Sequence, residues 1–422
     1  MDSSPFKNLP LELWEHILED AITFDGNIAL QATCSPVTYM AFKGTSKAVY
    51  SDRPMVLYKK SEVIRRKLRL VCRAWNLLAD NWKYRDRWIR LTPGPKIRNY
   101  CSKNPRWDLP LRLEFGVVST DWKSGVTPLH AWRNWQSQQY GPIRLVRLML
   151  HYDFLSSNEY IQFIGVLREI SSQLGSLRSL GIRTLSPSLI DIISELFPRL
   201  IHLTLWIIFD DEMYPQIPND AGMLGKGSLN LKELEVLILC PIRGFLDLIC
   251  CNLPQLHTFH CAPFLSWWHT DVSPFLHEHG SGIKVLDLDN FTNKYPYSSP
   301  SSNLVLPLGF WELLPRLQLL RIGLRHTRFV ELPNKDHPLE WLIDIDETKD
   351  AEQFVDAVGI WARRGDKGGP SQITLNGYYT KIIALGEVGG EVGTILHGLR
   401  QHGTVLINEY GHTVSKVDPG YP

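Results

Sequence analysis

The chain has almost no surplus of charge: 45 lysines and arginines stand against 44 aspartates and glutamates, a formal net charge of +1. So close a balance excludes the broadly basic surface by which proteins hold nucleic acid or an anionic bilayer, and neither is expected as a partner. A long uncharged apolar run is also missing. Every leucine-rich segment is interrupted by Arg, Asp or Pro, which speaks against a membrane-spanning helix, and the opening Met1-Asp2-Ser3-Ser4 has no secretory pattern. An intracellular location, cytoplasmic or nuclear or both, is the expectation. Cysteine is scarce and odd in number, seven in 422 residues, which excludes a disulfide framework.

Chemistry-bearing motifs are equally sparse. Cys240, Cys250, Cys251 and Cys261 lie near His257 and His260, but a pair of Cys-x-x-Cys knuckles is lacking, so no metal is expected. Gly225-x-Gly227 has no Lys-Ser after it, and Gly386-x-x-Gly389-Gly390-x-x-Gly393 does not match a phosphate loop. His277-Glu278 and His151-x-Asp153 form neither a metalloprotease helix nor a nucleophile elbow. The chain reads as non-catalytic and without a cofactor.

What is present is a composition of 44% hydrophobic and 21% charged residues, enough to bury a large core in two or three domain-sized units. The N-terminal part shows two amphipathic patterns. In the first, Pro10 suits an opening helical turn and Glu12 faces the positive end of the helix dipole. Leu13, Trp14, Ile17, Leu18 and Ala21 then recur at helical spacing. In the second, Ile64, Leu68, Val71, Cys72, Trp75, Leu78, Ala79 and Trp82 repeat the period, while Arg65, Arg69 and Arg73 form a basic row. Between them, residues 23–61 are rich in Gly, Ser, Thr and Lys and read as a long loop.

Leu9-Pro10-Leu11-Glu12-Leu13 with Ile17-Leu18, then Val71-Cys72-Arg73-Ala74-Trp75, then Trp88-Ile89, in that order, resemble the F-box family. The match spans residues 1–91 and departs from a compact F-box in the inserted loop at about 23–61. The resemblance implies docking onto a Skp-type adaptor, and through it a cullin. Leu9, Pro10, Leu13, Ile17 and Leu18 would dock from the first helix, with Val71, Cys72 and Trp75 shaping the second.

Beyond a linker and cap at 92–140, a Leu-x-x-Leu-x-Leu pattern recurs. It is seen at Ile143/Val146/Leu148, Leu177/Leu180/Ile182, Leu200/Leu203/Leu205, Leu234/Leu237/Leu239, Leu256/Phe259/Cys261, Ile283/Leu286/Leu288 and Leu317/Leu320/Ile322. The starts lie 34, 23, 34, 22, 27 and 34 residues apart, so the shorter intervals fit one leucine-rich repeat and the longer a repeat with an insertion. The last two apolar positions of each motif are two apart and point to one side of a strand. Apolar runs ending in Pro precede several motifs, Ser186 to Phe197, Phe245 to Leu253 and Phe310 to Leu314, and each predicts a returning helix.

Near Trp341 the strand pattern looks shifted by one. Downstream, 353–361 and 390–399 read helical and 372–375 and 404–407 extended.

Irregular repeats entered through Leu253-Pro254-Gln255-Leu256 and Leu314-Pro315-Arg316-Leu317 are similar to those of fungal F-box proteins. The expected fold class is α/β: an N-terminal all-α F-box, then an irregular right-handed solenoid with parallel strands on its concave face and helices outside. The repeats occupy 141–345, with terminal repeat units and a tail at 346–422. A doubly wound α/β domain is the alternative architecture.

On the concave face the residues between the last two apolar positions would be Arg147, Gly181, Thr204, Ile238, His260, Asp287 and Arg321, with Trp206 and Asp289 one step further out. Arg147, Thr204, Trp206, His260, Asp287, Asp289 and Arg321 are therefore the expected target-holding strip, and a merely solvated face of mutually neutralising charges is the plainer reading of them. The function implied by the two resemblances is that of a substrate-recognition subunit of a ubiquitin ligase, bridging the adaptor and an unknown protein target. A repeat scaffold outside any ligase and an α/β enzyme are the alternatives.

Overall fold

A computed structural model of the chain describes residues 13–14, 17, 63–73, 75–76, 88–91, 112–116, 147–151, 157–175, 177–184, 189–207, 227–240, 249–261, 272–288, 308–322, 333, 336–344, 370–375 and 391–408. By internal packing, residues 1–152 with 161–179 form one compact unit, and residues 153–160 with 180–422 another. The chain is a mixture of helices and parallel strands. Among the described residues no helix is long and apolar enough to cross a membrane.

In the first unit Leu13, Trp14 and Ile17 are helical, as are residues 63–69. The second amphipathic pattern is not one continuous helix. The N–H groups of Leu70 and Val71 bond to the carbonyls of Lys67 and Leu68, which tightens and ends the first turn set. A new helical turn starts at Cys72, whose sulfur accepts the Trp75 N–H at 3.5 Å in the manner of a cap. Arg69 donates from Nε to Asn76 Oδ1 at 2.9 Å and clamps the bend. Strands β1 (Trp88–Leu91), β2 (Arg112–Gly116) and β3 (Arg147–His151) pair in parallel, with Ile89, Leu113 and Leu148 in one register line. Helix α1 (Ser157–Gln173), of which residues 161–173 belong to this unit, buries Ile164, Leu167 and Ile170 at helical spacing.

The second unit is built on β4 (Ser179–Thr184), β5 (His202–Ile207), β7 (Val236–Cys240), β9 (Thr258–Cys261), β10 (Val285–Asp287), β11 (Leu319–Ile322), β12 (Trp341–Asp344), β13 (Gln372–Leu375) and β14 (Val405–Asn408). These strands lie side by side in chain order, with none of the reversal that a doubly wound sheet needs at its switch point. Every register described from β5 to β14 is parallel. Leu203, Leu237, Phe259, Leu286, Leu320, Leu342, Ile373 and Leu406 fall on one line across the sheet, and all are buried.

The ladder also removes the apparent shift at β12. Leu342 pairs with Leu320 and Asp344 with Ile322, so Leu339-x-x-Leu342-x-Asp344 keeps the motif with an aspartate in its last place.

Strands β5, β7, β9, β10 and β11 are each entered through the same tight turn. The N–H of Leu200, Leu234, Leu256, Ile283 and Leu317 bonds to the carbonyl three residues earlier, that of Phe197, Leu231, Leu253, Gly280 and Leu314. Both ends of each turn are buried. Pro198, Pro254 and Pro315 occupy the second place, where a fixed φ favours such a turn and the missing N–H costs nothing. One carbonyl then accepts two successive N–H groups from the next strand, as Glu235 does from His257 and Thr258, and Lys284 from Gln318 and Leu319.

Between strands the chain returns in two ways. Helices α2 (Leu189–Leu196), α3 (Ser273–His279), α4 (Phe310–Leu313) and α5 (Glu391–Gln401) fill some connections, and α2 and α4 stand where an apolar run before Pro predicts a helix. The run before Pro254 is different. Ile249–Asn252 is a strand, β8, paired in parallel with β6 (Gly227–Asn230), so the helix expected over Phe245 to Leu253 is corrected. A side-chain exchange explains the choice. Ser194 and Asp191 of α2 accept the N–H groups of Asn230 and Ser228, which fixes β6 as a template, and Leu229 then buries against Cys251 in register.

Gly280 and Gly403 are among the glycines that geometry requires. Gly280 lies so close to the Leu313 carbonyl that a β-carbon would collide with it. Gly403, at φ +75°, closes α5: its N–H bonds to Arg400 and that of Thr404 to Leu399, the pairing that needs a left-handed residue. The expected helix at 353–361, the insert at 23–61 and the tail from Ser415 lie outside the described residues.

Candidate functional site

Two groups of residues drawn from the sequence reach functional positions differently. The first is the pair of N-terminal segments. Although about forty-five residues separate them in sequence, Trp14 and Trp75 meet with ring centroids 5.2 Å apart at an interplanar angle of 56°. That contact joins the segments into one module. Around it the apolar residues expected to dock are left uncovered: Leu13 and Ile17 are each 46% exposed and Val71 is 60% exposed.

Cys72 is exposed and caps a turn, and Trp75 is half-buried against Trp14, so both act in holding the module together. Leu9, Pro10 and Leu18 lie outside the described residues. The structure adds Val63 and Leu70, the latter 86% exposed, which periodicity passed over because they fall off the Ile64/Leu68/Val71 stripe. Their position off that stripe was the available signal: an apolar residue on the polar side of an amphipathic helix faces outward.

The second group is the strip on the opposite side of the leucine line. The ladder brings Thr204, Ile238, His260, Asp287 and Arg321 into one row, residue against residue on neighbouring strands, as the motif predicts. The expectation of a wet face is corrected, because Thr204, His260, Asp287 and Arg321 are all buried, Asp287 to 0% exposure. The neighbours on that face show why: Val236, Ile238, Val285 and Leu319 are apolar and buried too, so over β5 to β11 the sheet is packed on both faces. The backbones of Arg147 and Trp206 lie in β3 and β5, their side chains outside the described set, and Asp289 is not described.

Asp287 is the centre of the buried row. Its carboxylate accepts from Arg321 Nη1 at 3.2 Å through Oδ2 and 3.4 Å through Oδ1, and His260 Nε2 stands 3.9 Å from Oδ1 on the other side. A charge withdrawn from water is tolerated only when paired in this way. Thr204 Oγ1 lies 3.3 Å from His202 Nε2. Burial, aided by the Asp287 charge, pushes the Cys261 thiol far above its ordinary range and makes it an inert packing residue.

Three histidines are held neutral. Burial pulls His257, His279 and His337 below the usual imidazole value, against the opposing pull of Glu235 on His257, Glu278 on His279 and the Leu314 carbonyl on His337. His337 shows the means: Nδ1 accepts the Leu339 N–H at 3.2 Å and Nε2, 2.9 Å from the Leu314 carbonyl, must then carry the proton. Among the described residues no three His, Cys, Asp or Glu side chains form a metal-binding group. No known protein-family model matches the chain, and no curated protein is detectably similar to it.

Proposed function

We propose that this protein is a substrate-recognition subunit of a Skp–cullin–F-box ubiquitin ligase, in which the N-terminal module docks on the Skp-type adaptor and the strand array holds a protein target. The observation that carries the reading is the Trp14–Trp75 contact: two segments distant in sequence form one module whose outer residues, Leu13, Ile17 and Val71, are apolar and uncovered. Exposed apolar side chains on a module held together in this way are what an interface buries.

In the same proposal the array is a leucine-rich-repeat solenoid, a reading supported by strands laid down in chain order and by one turn repeated at the entry to successive strands. Catalysis is not asked of any residue. The bridge acts by raising the effective concentration of target lysines near a ubiquitin-carrying enzyme held on the same assembly. Thr204, His260, Asp287 and Arg321, being buried, hold neighbouring strands together in this scheme. Arg147, Trp206 and Asp289 keep the role of target contacts, each to be tested by itself.

The test is co-purification of the full chain with a Skp-type adaptor. Wild type should retain the adaptor, and Leu13→Asp with Val71→Asp should lose it without a change in melting temperature. Retention by that variant, or no adaptor with wild type, would overturn the proposal.

A further inference from the structure

The bend between the two helical turns of residues 63–76 carries chemistry that apolar docking alone does not use. From Val63 to Arg73 the chain holds five basic residues, Arg65, Arg66, Lys67, Arg69 and Arg73, and no acidic one, in a molecule whose charges otherwise almost cancel. The structure divides these five by role. Arg65 is buried and Arg69 is bonded to Asn76, whereas Arg66, Lys67 and Arg73 are exposed. Val63, Arg66, Lys67 and Leu70 follow helical spacing and lie on one face, all of them exposed. Leu70 and Val71 stand at the apex of the bend, and Arg73 follows them.

We infer that this knuckle is read by an acidic protein surface, with Leu70 and Val71 entering an apolar depression whose rim carries carboxylates facing Arg66, Lys67 and Arg73. The inference rests on the docking reading above and names the chemistry of its partner. Exposed cations outside a buried apolar centre act mainly on the rate of encounter and on the choice of partner, while the apolar anchors set the rate of escape. The two contributions are therefore separable by kinetics. An anionic bilayer would also attract the cations, but it offers no shaped depression for a knuckle whose exposed apolar groups, among the described residues, are Val63, Leu70 and Val71.

The experiment is surface-immobilised binding of the full-length protein to a purified Skp-type adaptor at about 50 and about 300 mM salt, over which exposed charges become screened. The wild-type association rate should fall with salt. Arg66→Glu with Lys67→Glu should lower it about tenfold at low salt and flatten the salt dependence. Leu70→Ala should speed dissociation and leave the salt dependence intact. Adaptor binding that is indifferent to salt and to the charge reversals would overturn this inference alone. No adaptor binding under any condition would overturn the docking reading and this inference with it, as would tight binding to phosphatidylserine vesicles in place of the adaptor.

Discussion

The leucine line of the second unit and the N-terminal module are written in the same code, apolar residues at regular spacing, yet the structure treats them oppositely. Leu203, Leu237, Phe259, Leu286 and Leu320 are buried on the ladder, whereas Leu13, Ile17, Val63, Leu70 and Val71 are exposed. The difference is one of neighbours. In the sheet each strand supplies a partner for the next, so each of these apolar residues lies beside its counterpart in register. Among the described residues of the N-terminal segments, Trp14 packs on Trp75 while the apolar residues beside them stay exposed. Apolar periodicity therefore reports a surface that wants covering, and only the number of adjacent elements decides whether the chain covers it itself.

Truncation should expose the contrast most sharply. Phe259 is wholly buried and stacks on Phe275 with centroids 4.2 Å apart, so Phe259→Ala is expected to cost about 3–5 kcal/mol. Leu70→Ala should change stability by less than about 0.5 kcal/mol, as exposed substitutions do. Denaturant melts of both variants check this, and a comparable loss from each would erase the distinction between the two regions.

The buried charged row is the next way to break it. Removing one member leaves the other uncompensated, so Asp287→Ala should lose about 3–5 kcal/mol. Replacing Asp287 and Arg321 together by leucine should lose clearly less, because no charge is then stranded. If the single change proves harmless, the row is solvated and the strip regains its claim to be a binding face.

A smaller effect is expected at the packed turn before β10. Gly280→Ala drives a β-carbon into the Leu313 carbonyl and should cost about 1–3 kcal/mol, read as a lowered melting temperature. Gly175, whose added β-carbon would meet nothing within 4 Å, is the control.

The mildest probe is pH. His257, His279 and His337 have folded values below the unfolded one near 6.5, so the unfolded chain binds more protons as the medium turns acid. Their contribution is fully present above about pH 6.5 and fades as pH falls below it. Thermal melts from about pH 7.5 to pH 5 should show falling stability, and His337→Gln should lose part of that slope. A flat profile would mean that burial does not hold these rings neutral.

Much of the array could be read in advance because its signal is repeated. The spacing of Leu200/Leu203/Leu205 recurs at Leu317/Leu320/Ile322, and each recurrence confirms the register of the last. The order of strands and the pairing of His260, Asp287 and Arg321 followed from that register alone. Burial of the row did not, although Val236-Leu237-Ile238-Leu239-Cys240 held the clue: a run without alternation belongs to a strand covered on both faces.

Strand β8 was missed because Ile249, Cys250 and Cys251 suit helix or strand, and the template that decides, β6 held by Ser194 and Asp191, lies more than fifty residues upstream at its far end. The bend at Leu70 was missed because its clamp, Arg69 on Asn76, looks in sequence like one more turn of a basic row.

We propose that the uncovered apolar residues of the N-terminal module are an interface for a Skp-type adaptor. Calorimetric titration of the full-length protein with that adaptor tests it most directly. One-to-one binding that disappears in Leu13→Asp with Val71→Asp, while both proteins melt at the same temperature, is the predicted result. Equal binding by the two proteins, or none by wild type, would contradict it.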